Sequence, residues 1–126
     1  MGRREIARFI PPNNAVLISI IDPDARQPEV NGNWDNIISL AFWDATHEKH
    51  GQPLATREQC RQIWDFIQQY KEKHIFAHCE AGVSRSGAVR EYLERNGWIV
   101  MNPNWQIFPN IHVLNWLNHF DREVIL

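Results

Sequence analysis

Short apolar runs that alternate with amphipathic stretches set the strongest limit on the fold. Ala15 to Ile21 (AVLISII) is a β-branched apolar run closed by Asp22-Pro23-Asp24, the pattern of a buried strand that ends in a turn. Asn36 to Phe42 (NIISLAF) repeats it as a second buried strand, and Ile75 to Cys79 gives a third. Arg3 to Ile10 reads as an edge strand before them, and Trp98 to Met101 as a short strand or turn.

Between and after these runs the period changes to that of helices. Thr56 begins one with a capping box to Gln59, and its apolar stripe is Cys60, Ile63, Phe66, Ile67 and Tyr70. Ser86 to Asn96 is a second, with Ala88, Val89, Tyr92 and Leu93 inward and Gly97 as its stop. Asn110 to Phe120 is the last, with Val113, Leu114, Leu117 and Phe120 on one face. Strands alternating with helices predict an α/β fold: one domain over residues 1–126, with a largely parallel, twisted sheet of about four to five strands flanked by helices.

Composition narrows the function classes. The net charge is −2 and the pI is near 6.3, without the basic surplus of a nucleic-acid footprint, so no nucleic-acid partner is expected. Two cysteines, Cys60 and Cys79, make no disulfide framework, and a reducing cytoplasmic setting follows. Met1 to Arg8 is charged with no long apolar stretch after it, so no signal peptide is expected, and Ile6 stands where an N-myristoylation signal at Gly2 wants Ser or Thr. No stretch approaches the ~20 apolar residues of a membrane span.

The chemistry concentrates in HCEAGVSRSG, His78 to Gly87, which leads from the third strand into the second helix. A loop on that path turns backbone N–H groups toward one point, and the helix dipole adds positive potential there, making a phosphate-sized anion site. Gly82 and Gly87 allow the tight path, and Arg85 offers a planar guanidinium at the helix entrance. Cys79 sits at the floor, where those groups favour thiolate and bring its pKa below the free value of about 8.5. Cys60, on the apolar face of a helix, reads as core.

His78-Cys79, five residues, then Arg85-Ser86 resembles the HCx5R(S/T) signature of the protein tyrosine and dual-specificity phosphatases, in the form taken by compact dual-specificity members. The surrounding pattern agrees from about Asn36 to the C-terminus. The resemblance implies that Cys79 attacks phosphorus and forms a cysteinyl-phosphate, while Arg85 and the amides of Glu80, Ala81, Gly82, Val83, Ser84 and Arg85 hold the phosphate oxygens. It implies that Ser86 eases departure of the Cys79 sulfur, that His78 orders the loop from behind, and that Asp44, in Phe42-Trp43-Asp44, is the general acid and base. His47 and Glu48, in the same long loop, are the substitutes for Asp44.

Asn110 resembles the Asn of a Pro-Asn pair before the family's last helix, and capping that helix is its other reading. Trp43, Trp105 and Phe108 are candidates for the pocket wall. His47, Glu48 and His50 make a poor metal set, and neither metal nor cofactor is expected. The expected activity is hydrolysis of phosphomonoesters on a phosphorylated protein, phosphotyrosine with phosphoserine and phosphothreonine beside it. A phosphoprotein-binding module without turnover and a rhodanese-like sulfurtransferase are the alternatives. Glu80, on the loop rim, argues against highly charged inositol phosphates.

Overall fold

Seven consecutive residues, Ala15 to Ile21, are buried, which requires cover on both faces of the strand they form. The computed structural model describes residues 1–48, 51–100 and 106–124 and places this strand in the middle of a sheet. In chain order the elements are α1 (Arg3–Ile6), β1 (Ala15–Ile21), β2 (Asn36–Ala41), α2 (Arg57–Gln69), β3 (His74–His78), α3 (Arg85–Arg95) and α4 (Ile111–Val124). Both neighbours run parallel to β1, in the order β2-β1-β3, from Val16 opposite Asn36 on one side and from Ala15 opposite His74 on the other.

Alternation along β1 divides its side chains between two cores. Val16, Ile18 and Ile20 share one with Leu40 and with the apolar faces of α2, α3 and α4. The opposite face carries Leu17 and Ser19, both fully buried. Phe76, paired with Leu17 across β1 and β3, lies in an aromatic trio there, 4.8 Å from Phe9 and 5.7 Å from Trp34, centroid to centroid.

Three helices form where their stripes predict, and the Thr56–Gln59 capping box is present in both directions at 3.1 and 2.9 Å. α3 ends as Gly97 predicts. Gly97 takes φ +95°, its N–H bonds to Glu94 O at 3.2 Å, and the Trp98 N–H reaches back to Leu93 O at 3.0 Å, so the chain turns away from the helix.

The sheet has three strands rather than the four to five expected among the described residues. Arg3 to Ile10 is not an edge strand: the Glu5 carboxylate accepts the Gly2 N–H at 3.1 Å and closes a helical turn over Arg3–Ile6. Trp98 to Val100 leaves the α3 terminus without regular structure, and Met101 lies outside the described residues. β2 stops at Ala41 and is an edge, with Asn36, Ile37 and Ser39 exposed, rather than the buried strand expected. No helix among the described residues is long and apolar enough to cross a membrane.

Candidate active site

β3 delivers His78 and ends, so Cys79 is the first residue of the turn and its side chain faces the start of α3. The Cys79 thiol is 2% exposed, with Sγ 3.2 Å from Ser86 Oγ and 3.3 Å from the Gly82 amide nitrogen. Burial alone pushes this thiol up. Hydrogen bonds from the Ser86 hydroxyl and amide and from the Gly82 amide, with the charge of Arg85, outweigh it and hold the thiol below its ordinary value. Burial without such donors does the opposite at Cys60, fully enclosed in the core, whose thiol is pushed up to about 12.

The tight path depends on Gly82, which takes φ +76° and lies so close to the chain start that a Cβ there would overlap Gly2 N and Met1 C. Met1 O accepts the Cys79 N–H at 3.0 Å, and the Arg3 N–H donates to Glu80 O at 3.0 Å. Gly87 serves differently from the loop approach expected: on α3, its bare Cα admits Ile107, whose Cβ would be 3.2 Å from an added Cβ.

Arg85 is 4% exposed. Its Nη1 donates to Asp22 Oδ1 and to Phe42 O, each at 2.7 Å, which fixes the guanidinium plane from the ends of β1 and β2. Its Nε is buried and has no acceptor among the described residues. One edge of the guanidinium is therefore anchored, and the N–H of Nε remains for an outside acceptor.

Asp44 lies in the loop after β2 and is exposed. Its Oδ1 accepts the Ser84 hydroxyl and the Asn110 side-chain amide, both at 2.8 Å. The structure thus joins three parts of the chain: the loop after β2, the Cys79 loop and the start of α4. Asn110 caps α4, as one of its readings expects, with Oδ1 accepting the Val113 N–H at 3.1 Å, while its Nδ2 holds Asp44, a contact not anticipated from the sequence. His47 and Glu48 lie farther along the loop and are exposed, His47 beside Thr46 at 3.3 Å, so Asp44 is the carboxylate joined to the site.

His78 is enclosed behind the loop, with Nε2 2.6 Å from Ser19 Oγ. Burial is the largest cause of a pKa lowered to about 4, and the imidazole is neutral. Glu80 pairs with Arg3 at 3.1 Å, so its charge is balanced and the case it made against inositol phosphates weakens. Phe108 is exposed and tied to the loop by its N–H to Val83 O at 3.1 Å. Trp43 is half-buried; Trp105 and His50 lie outside the described residues.

Sequence reasoning missed Asp22, Ser19, Gln27 and the Met1–Arg3 segment. Asp22 reads as a turn former in Asp-Pro-Asp; the one available signal for Ser19 is a hydroxyl in the middle of an apolar strand.

No family model matches the chain, and no curated protein matches it in sequence. Solved structures do match in shape. The human tyrosine phosphatase-like serine/threonine/tyrosine-interacting protein superposes with a TM-score of 0.54 at 17% identity, covering 89% of this chain and 79% of that one. A mouse protein described as a dual specificity phosphatase, complexed with zinc tungstate, superposes with a TM-score of 0.56 at 15% identity, covering 88% of this chain and 72% of that one. The central parallel sheet with its flanking helices therefore has the fold of the compact dual-specificity and tyrosine phosphatases.

Proposed function

We propose that the protein is a cysteine-dependent phosphomonoester hydrolase acting on phosphorylated protein, on phosphotyrosine and also on phosphoserine or phosphothreonine. The observation that carries this reading is the buried Arg85 Nε, a cationic N–H with no acceptor among the described residues, on the residue whose charge favours the Cys79 thiolate. Leaving such a donor unpaired costs about 1–3 kcal/mol or more, and an anionic oxygen is the acceptor that offsets it.

In the first step Cys79 Sγ attacks phosphorus and the phosphorus–oxygen ester bond breaks. The Gly82 and neighbouring amides and Arg85 Nε hold the equatorial oxygens, where charge collects. Because both hydrogen bonds to Asp44 fall on Oδ1, Oδ2 carries the proton that passes to the departing oxygen. In the second step water attacks phosphorus, Asp44 takes its proton, and sulfur leaves as a thiolate that the Ser86 hydroxyl receives at 3.2 Å. No metal or cofactor enters either step.

The test is vanadate-sensitive hydrolysis of an aryl phosphate and of phosphotyrosine, phosphothreonine, phosphoinositide and RNA 5′-triphosphate substrates side by side. Activity is expected on the phosphopeptides and absent in Cys79→Ser; equal activity in that variant would overturn the mechanism. The human neighbour, a phosphatase-like interacting protein, favours a second reading as a phosphoprotein-binding module. Tight phosphopeptide binding by the unaltered protein without turnover would establish that reading instead.

A further inference from the structure

Ser19 is the one polar side chain in β1, and it is fully buried. A hydroxyl placed there without partners costs about 1–3 kcal/mol, yet it has two: His78 Nε2 at 2.6 Å and the Gln27 side-chain amide, whose Nε2 donates at 2.6 Å. The sheet register sets the first contact, because Ser19 and His78 are paired residues of β1 and β3. On the far side of the imidazole, Nδ1 lies 3.5 Å from the Cys79 carbonyl oxygen.

The proton positions follow. Burial keeps His78 neutral, and the charges of the Met1 amine, Arg3 and Arg85 act in the same direction. A carbonyl can only accept, so the single ring N–H belongs on Nδ1, facing Cys79 O. Nε2 then accepts the Ser19 O–H, and the Ser19 oxygen accepts the Gln27 N–H. The chain runs one way, from Gln27 through Ser19 and His78 to the Cys79 carbonyl.

We propose that Ser19 and Gln27 are positioning residues of the Cys79 loop, acting through His78 to fix the peptide plane between Cys79 and Glu80. All peptide bonds described are trans, and in a trans peptide the carbonyl and the N–H point opposite ways. Drawing the Cys79 carbonyl back toward His78 turns the Glu80 N–H forward, into the cradle. The groups on either side are also tied from behind, the Cys79 N–H to Met1 O and Glu80 O to the Arg3 N–H. The forward amide is thus set by what holds its neighbours. That this amide meets phosphate rests on the proposed function; that fixing the Cys79–Glu80 peptide plane holds the Cys79 side chain against its Ser86 and Gly82 donors does not.

The experiment therefore reads the thiol as well as the anion. In Ser19→Ala, the pH midpoint of Cys79 alkylation by iodoacetamide is expected to rise, and orthovanadate affinity to fall about tenfold, the worth of roughly one hydrogen bond. Ser19→Thr keeps the hydroxyl and is expected to restore both. Ile20→Val, a smaller core side chain in the same strand, is expected to lower thermal stability while leaving the midpoint in place. If Ser19→Ala does not fold, Gln27→Ala, a change to a surface side chain, carries the same test with a smaller shift. An unmoved midpoint in folded Ser19→Ala or Gln27→Ala overturns the proposal. A moved midpoint with no vanadate binding by the parent protein sustains it and removes the phosphate reading instead.

Discussion

Asn110 Nδ2 lies 2.8 Å from Asp44 Oδ1, and the Asn110 carboxamide oxygen caps α4 in the same residue. One side chain thus couples the start of a helix to the candidate proton donor, and its two ends can be separated by mutation.

Asn110→Asp keeps an N-cap acceptor and removes the donor to Asp44, so thermal stability is expected to hold while turnover falls about tenfold or more. Asn110→Ala removes both, with a further loss of about 1 kcal/mol of stability. Asp44→Asn is expected to lower kcat by about 10²–10⁴ for alkyl phosphates and by less for an aryl phosphate with a good leaving group, which needs the proton least. Steady-state kinetics on paired substrates and thermal melts check all three.

The two cysteines will titrate apart. Cys79, held below its ordinary value, is expected to react with iodoacetamide at neutral pH in the native protein. Cys60, pushed up to about 12 and fully buried, is expected to stay unlabelled until the chain unfolds. Peptide mass mapping after a short labelling pulse reads the ratio. Equal labelling of the two would contradict the arrangement of donors around Cys79.

His78 makes stability depend on acid. Its folded pKa of about 4 lies below the unfolded value of about 6.5, so within that window the unfolded chain binds a proton that the native state does not. Stability from this group is complete above about pH 6.5 and falls as pH drops toward 4. Urea unfolding between pH 4.5 and 7.5 is expected to show that slope, and His78→Gln to flatten it.

Arg85→Lys keeps the charge and loses the shape. A lysine cannot reach Asp22, Phe42 O and an outside oxygen together, and kcat is expected to fall about 10²–10³. Asp22→Asn leaves the guanidinium present but less firmly oriented, and is expected to raise KM with a smaller effect on kcat. Arg85→Lys activity equal to that of the parent would show that the planar fork is not used.

The residues of the candidate site that the sequence discloses are those a single loop brings together. Cys79, Gly82, Arg85 and Ser86 stand within one strand–turn–helix passage, so their spacing is their geometry. Asp44 and Asn110 were reachable through resemblance, with their contact to each other and to Ser84 supplied by folding. Ser19, Gln27 and Asp22 were not reachable, because parallel register sets Ser19 against His78 and folding alone brings Gln27 to Ser19 and Asp22 to Arg85. The expected edge strand at Arg3 to Ile10 failed for a local reason: the Gly2–Glu5 hydrogen bond closes a turn whose helical signal is only four residues long. The strands and main helices were legible wherever a run or stripe was long enough to show its period.

The Ser84 hydroxyl binds Asp44 to the same loop that carries Cys79. In the proposed hydrolase, proton donor and nucleophile are therefore assembled before any substrate arrives, and Asp44 needs no closing movement between binding and reaction. For the proposed hydrolase, this makes chemistry rather than gating the pace-setter, and turnover should be indifferent to solvent viscosity.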